Sequence, residues 1–106
     1  MSTAVLVYQV SASNASNQVK SSVIQIQYID QAGVNQRINA TTPNGTWSLT
    51  FPTFTVGQPY GLNAVEVQSD KPGQVVTVTV LEAGSSVATA NNGANTKLPA
   101  GVTGTA

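Results

Sequence analysis

The sequence lacks cysteine and histidine, and charged residues make up only 8% of its 106 positions, against about 25% in an average soluble protein. The chain therefore cannot form a disulfide framework, a Cys/His zinc site, a catalytic thiolate or a Ser-His-Asp triad. Four Lys plus Arg balance four Asp plus Glu, and no basic run occurs. Because nucleic acid and anionic membranes are held mainly by Lys and Arg, we expect neither as a partner.

Long apolar runs are also missing. The longest run near the start, from Ala4 to Tyr8, is far too short for a membrane helix or the apolar part of a secretion signal. We therefore expect no membrane insertion by this chain. Its hydrophobic share of 41% is ordinary for a globular protein, which favours a single domain over residues 1–106. Within it, residues 91–106 are predicted to be a polar, loosely held C-terminal segment.

Polarity comes from amides and hydroxyls instead. The chain has 9 Asn, 9 Gln, 10 Ser and 13 Thr. This neutral, hydrogen-bonding composition favours an extracytoplasmic location: periplasmic, cell-surface or secreted, with a signal or anchor that this sequence does not contain. The surface of a virion is the alternative location.

Period-2 alternation broken by turn residues is the dominant pattern, and it predicts β-strands. Asp30 and Gly33 bracket a predicted hairpin turn, since Asp favours turn starts and Gly adopts positive φ easily. Val65 and Val67 change phase relative to the residues before them, which indicates a β-bulge. Seven strands at this spacing predict an all-β, antiparallel, immunoglobulin-like sandwich. An up-and-down barrel is the alternative, and no repeat longer than a hairpin is visible.

The aromatic residues follow this alternation. Trp47 lies in the most regular strand, where it is predicted to anchor the core between the sheets. Pro52 is expected to end that strand because it cannot donate to a ladder. In the loop that follows, Phe54 and Val56 are both expected to tuck inward. Tyr60 is the predicted surface aromatic.

The four carboxylates point to structural roles rather than catalysis. Asp30, Asp70 and Glu82 fall at turns, where carboxylates accept backbone N–H groups, and Glu66 falls in a strand. So small a sandwich has little room for a cleft with paired carboxylates, and a calcium site needs more oxygen ligands than these supply. We therefore predict no enzymatic activity, no catalytic residues, no metal and no cofactor.

A partner site is predicted from strand direction. In an antiparallel sandwich the connections fall alternately at two ends, and the longer, Asn-rich connections collect at one of them. These hold the candidate partner-binding residues Asn14, Asn17, Asn44, Asp70, Lys71 and Asn92. The opposite end holds the connections 30–33, 52–59 and 82–85.

Six short motifs run in order along the chain from Tyr8 to about Ala90: Tyr8-x-Val10-Ser11, Ile26-x-Tyr28-x-Asp30-x-x-Gly33, Trp47-x-Leu49-x-Phe51, Leu62-x-Ala64, Gly73-x-Val75-x-x-Val78-x-Val80 and Gly84-x-x-Val87-Ala88. This order resembles the extracytoplasmic β-sandwich domain of the MmpS-type transport accessory proteins, and small bacterial lipoproteins of the same shape. The resemblance implies a role beside membrane transport, with no enzymatic activity and no catalytic residues. The sequence contains neither the N-terminal membrane helix nor the lipidated cysteine of such proteins.

Together these observations predict a non-enzymatic, extracytoplasmic binding or accessory domain. Its expected partner is a protein or a second copy of itself, and carbohydrate is the alternative ligand. Two further functions fit the composition. One is a structural subunit of a virion, filament or surface layer, because uncharged strand edges are poorly protected against pairing. The other is a small carbohydrate-binding module.

Overall fold

A computed structural model describes residues 2–13, 22–41, 46–69, 75–91 and 100–106, and its regular structure is all β. The eight strands are β1 Thr3–Ser13, β2 Ser22–Ile29, β3 Asn35–Thr41, β4 Thr46–Thr55, β5 Pro59–Ser69, β6 Val75–Glu82, β7 Ser85–Asn91 and β8 Ala100–Thr105.

Two four-stranded sheets pack face to face. The β1 sheet has the order β4-β1-β6-β7, and the β2 sheet has the order β3-β2-β5-β8. Every pairing is antiparallel. The predicted antiparallel sandwich is therefore confirmed, and the strands form two sheets rather than one closed barrel.

The predicted number of seven strands is wrong, because Ala100–Thr105 forms an eighth strand in the segment expected to be loosely held. β8 pairs with β5 from Pro59↔Thr105 to Ala64↔Ala100. Its inward positions are Ala100, Val102 and Gly104, and a Cβ added at Gly104 would collide with the Tyr60 ring. The sequence does not predict this strand because Val102 is the only large apolar residue among its inward positions, which is too weak an alternation.

Pro52 does not end β4, contrary to the prediction. The strand continues to Thr55, and its register against β1 shifts between Ala4↔Phe54 and Leu6↔Phe51. The shift leaves one extra residue on β4 beside Pro52. Edge strands and bulges are the places where a sheet tolerates a residue without an N–H, and β4 is an edge strand.

The predicted bulge is present in β5, but it lies after Val65, which continues the regular alternation with Leu62 and Ala64 and does not change phase. Val23 pairs with Gln68 and Ile24 with Glu66, so one residue of β5 is skipped between them. One extra residue on one strand of an antiparallel pair is the defining feature of a β-bulge.

Both described hairpin turns depend on residues with positive φ. Gly33 has φ 79°, and the loop is closed by Asp30 N donating to Val34 O at 2.9 Å. The β6–β7 turn has Ala83 at φ 52° and Gly84 at φ 84°. Two consecutive left-handed residues define the type I′ turn, whose twist matches that of the flanking strands.

The core lies between the sheets and is centred on Tyr8, Leu6, Phe54, Ile26 and Leu62, each at most 1% exposed. Aromatic rings fill the side of the core near β4, with Tyr8 and Phe51 centroids 5.5 Å apart and Phe51 and Phe54 centroids 5.9 Å apart. The interior packing predicted for Phe51 and Phe54 is thus confirmed.

Two aromatic predictions are wrong. Tyr60, expected at the surface, is only 6% exposed because its ring occupies the space that Gly104 leaves. Trp47 faces inward but is only half-buried, since β4 lies at the edge of its sheet. Its ring packs on Tyr28 at the rim, with the centroids 6.1 Å apart. Tyr8, on the central strand β1, is the aromatic anchor instead.

Candidate functional site

The sequence-predicted partner residues lie outside the described part of the chain. They are Asn14, Asn17, Asn44, Asp70, Lys71 and Asn92. The described turns meet at the opposite end of the sandwich, as strand direction predicted. There Gln58 Nε2 donates to Asp30 O, and Ala106 N donates to Gln58 O, both at 3.0 Å. Val56, expected to tuck inward at this end, is 45% exposed at the tip of its turn.

Tyr8 has no solvent exposure, and its hydroxyl links the two sheets. Tyr8 Oη donates to Ile29 O at 2.7 Å and accepts from Gly61 N at 3.4 Å. Burial raises the pKa of this phenol to about 12. The group therefore stays protonated at neutral pH, where it joins β1 to β2 and β5.

Asp30 organises its own turn, as predicted. Its Oδ1 accepts from Ala32 N at 2.9 Å and Val34 N at 3.0 Å, and Oδ2 accepts from Gln36 Nε2 at 2.9 Å. The side-chain bond from Gln36 lowers the pKa of the carboxyl most, and the backbone bonds add to this effect. Within the described ranges, no group of three or more acidic residues could hold a metal ion.

Amide side chains dominate the outer face of the β2 sheet. We call this surface the amide face, and its members are Gln25, Gln27, Asn35, Arg37, Asn39 and Asn63. These residues alternate with the core residues of β2, β3 and β5, so they project to solvent. The strand register aligns Arg37, Gln27 and Asn63 in one row across three strands.

Arg37 is held on the amide face by a neutral partner. When the Gln27 amide oxygen faces the guanidinium, it accepts from Arg37 Nε at 2.9 Å and from Nη2 at 2.7 Å. In this orientation Gln27 restrains the guanidinium without neutralising its charge.

Shallow hollows lie beside this row. One of about 250 Å³ runs over Gly61 and Gly101, bordered by Ile29, Asn63 and Thr103. The missing side chain at Gly101 opens it, because a Cβ there would stand 3.4 Å from Asn63 Cγ. A second hollow of about 250 Å³ continues between Gln25, Gln27, Asn63 and Val65. A hollow bordered by amide side chains therefore lies on each side of the row formed by Arg37, Gln27 and Asn63.

The outer face of the β1 sheet carries mainly hydroxyls. We call it the hydroxyl face, and its members are Ser11, Thr46, Ser48, Thr50, Thr77, Thr79 and Thr89. Thr79 and Thr89 lie opposite each other with their Oγ1 atoms 3.3 Å apart, and Thr89 Oγ1 donates to Val78 O at 3.1 Å. A hollow of about 360 Å³ opens between Gln9, Ser11, Thr46 and Thr77.

The sequence carries a local signal for part of the amide face. Gln25 and Gln27 alternate with Ile24 and Ile26, which shows that they face outward. What places Asn63 beside Gln27 is the pairing of β2 with β5, two strands far apart in sequence. Strand phase predicts which residues of a strand face outward, whereas the register between strands decides which of them become neighbours.

Comparison with known protein families gives no match, and no sufficiently similar sequence is found among curated proteins. Over the described ranges, the structure contains no helix long and apolar enough to cross a membrane.

Proposed function

We propose that this chain is a non-enzymatic binding domain that works outside the cytoplasm and recognises its partner through an outer sheet face. The observation that carries this proposal is the pair of solvent-facing surfaces whose neutral amides and hydroxyls border shallow hollows. A rigid sandwich holds these groups at fixed spacings, so little order has to be gained when a ligand binds.

The chemistry of the faces indicates what they would bind. Amides and hydroxyls each both donate and accept hydrogen bonds, so they match ligands rich in the same groups. A polar protein surface and a carbohydrate both meet this requirement. The titratable groups of Tyr8 and Asp30 already have partners within the fold, which supports binding rather than proton transfer.

The immunoglobulin-like classification and the association with transport belong to the same proposal. Immunoglobulin domains keep their first two strands in one sheet, whereas β1 and β2 lie in opposite sheets here. We therefore propose a likeness in architecture and in use as a binding frame, without identity of strand order. An accessory role beside a membrane transporter would use the same faces to contact it.

Binding measurements with three double variants test the proposal. The purified chain is screened on a glycan array and against extracytoplasmic protein fractions, and each ligand found is then titrated. The variants are Gln27→Ala with Asn63→Ala on the amide face, Thr46→Ala with Thr79→Ala on the hydroxyl face, and Asn44→Ala with Asp70→Ala in the loops. We expect one of the two face variants to weaken binding at least tenfold. Turnover of a bound ligand, or full binding by both face variants, would contradict the proposal.

A second candidate, a self-assembling structural subunit, is favoured by β7. This edge strand of the β1 sheet carries no charge and no proline, and Val87 on it is 47% exposed. Charged residues and prolines are the usual protection of an edge against pairing with another chain.

Light scattering at two protein concentrations tests this candidate. A subunit that pairs through β7 gains mass as its concentration rises, and Val87→Lys prevents the gain by placing a charge at the edge. Constant monomer mass at both concentrations would eliminate the candidate.

A further inference from the structure

We propose that the amide face binds an oligosaccharide that carries carboxylates. Arg37 forms an ion pair with a carboxylate, and the surrounding amides form hydrogen bonds with hydroxyls. This inference rests on the proposed binding function and names both the face and the ligand class. A uronic-acid oligomer is the simplest ligand of this kind, because it repeats one carboxylate among several hydroxyls.

The charge of Arg37 is the first argument. A guanidinium has five N–H donors, and the Gln27 oxygen accepts from only two of its nitrogens, Nε and Nη2. Across the described ranges, Gln27 is its only hydrogen-bonding partner and it has no ion pair. Asp30, in the turn that follows β2, is engaged by its own turn and by Gln36. Among the described residues, the guanidinium thus keeps its positive charge and has donors that none of them uses, which an anionic ligand complements.

The orientation of Arg37 is the second argument. A free surface arginine loses much side-chain freedom when it binds a ligand. The two contacts to Gln27, at 2.9 and 2.7 Å, already restrict the guanidinium plane. Its open side can therefore meet a planar carboxylate with a smaller loss of entropy.

The neighbours of Arg37 select for hydroxyls. Asn63 lies two strands away in the same row, a separation of about 10 Å at ordinary strand spacing. Its exposed amide offers a donor and an acceptor at the edge of the hollow that Gly101 opens. A ligand that reaches both residues must carry neutral polar groups some distance from its carboxylate, as an acidic sugar chain does.

Other anionic polymers fit this face less well. All six aromatic rings of the chain belong to the core or pack against it, so no ring on the amide face can stack on a nucleobase. Acidic peptides remain a competitor, to be separated by experiment.

Titration calorimetry at low salt tests the inference with three probes: a uronic-acid hexasaccharide, its neutral methyl ester and a Glu-rich hexapeptide. We expect the hexasaccharide to bind, and the ester to bind at least tenfold more weakly. Arg37→Gln should weaken binding of the hexasaccharide at least tenfold, because a charge-assisted pair is lost. Gln27→Ala should weaken it several-fold by freeing the guanidinium. Thr79→Ala, on the opposite face, is the matched control and should bind like the wild type.

Three results would overturn the inference: equal binding of the acid and its ester, unchanged binding by Arg37→Gln, or tighter binding of the peptide. Arg37 is exposed, so its variants should keep the urea midpoint of the wild type, and this measurement separates lost binding from lost folding. If another glycan or protein binds independently of Arg37, this inference fails while the proposed function stands. If no glycan or protein binds either face, both fail.

Discussion

The hydroxyl of Tyr8 offers the sharpest test of what joins the two sheets. Tyr8→Phe keeps the ring and removes the oxygen that donates to Ile29 O and accepts from Gly61 N. A net hydrogen bond contributes about 1 kcal/mol, and a buried acceptor left without its partner costs about 1–3 kcal/mol. Because the second contact is long, we expect a total loss of about 1–3 kcal/mol. At this chain length each kcal/mol corresponds to a fall in Tm of about 4–8 °C.

Urea unfolding followed by Trp47 fluorescence measures this loss, since Trp47 is the only tryptophan. Tyr28→Phe is the matched control. Tyr28 is half-buried and its ring centroid lies 5.9 Å from that of Tyr8, but its hydroxyl forms no hydrogen bond with the described residues. We expect the control to change stability by less than about 0.5 kcal/mol. Equal effects of the two substitutions would refute the role assigned to the Tyr8 hydroxyl.

Alkaline pH tests the same group in a second way. The pKa of Tyr8 is raised from 10.0 to about 12 in the folded protein, so between these values the unfolded state binds fewer protons than the folded state. The free energy of unfolding therefore falls as pH rises through this window, by about 3 kcal/mol at most. Tyr8→Phe lacks this titration, so its deficit relative to the wild type should shrink above pH 10. Parallel curves of unfolding free energy against pH for the two proteins would refute the argument.

With no histidine to titrate, the free energy of unfolding should be nearly constant from pH 6 to 9.

Three further predictions concern the core, one turn and acid stability. Phe54→Ala should cost about 3–5 kcal/mol in urea unfolding, and Trp47→Ala clearly less because its ring is only half-buried; the reverse ranking would contradict the assigned core. Ala83→Asn should raise Tm by several degrees, because Ala83 has φ 52° and asparagine tolerates this conformation in a type I′ turn better than alanine; an unchanged or lower Tm would count against the turn. Hydrogen bonds lower the pKa of Asp30 in the folded state, so its contribution to stability is present above the unfolded pKa and is lost as pH falls through the folded value. Between pH 5 and 2, the Tm of Asp30→Asn should therefore fall less than the Tm of the wild type. An equal fall in the two proteins would contradict this.

Structural features that depend on only a few adjacent residues were predictable from the sequence. The turn at Asp30 and Gly33, the bulge in β5 and the inward position of Phe51 follow from turn propensities and period-2 phase. Each depends on side chains within a few positions of one another. The same holds for the strand class as a whole, because alternation is a local pattern.

Position within a sheet was not predictable in this way. Trp47 has the phase of a core residue, yet the sheet order places β4 at an edge and leaves the ring half-buried. Tyr60 is flanked by Pro59 and Gly61, which favour a loop, yet Gly104 on a strand more than 40 positions later makes room for its ring. Both outcomes depend on which strands pair in the sheets, and the alternation within one strand does not specify its pairing partners.

The candidate site also combines features that the sequence predicts with features that only the tertiary structure shows. Composition alone determined that the polar surface consists mainly of amides and hydroxyls, with few charges and without histidine or cysteine chemistry. Strand phase determined that Gln25 and Gln27 face outward. Only the tertiary structure decided that Arg37 and Asn63 lie on either side of Gln27, because the registers of β2 with β3 and with β5 bring them into one row. Register is fixed by burying the opposite faces of all three strands in one core, so the arrangement of the outer face follows from the packing of the inner one.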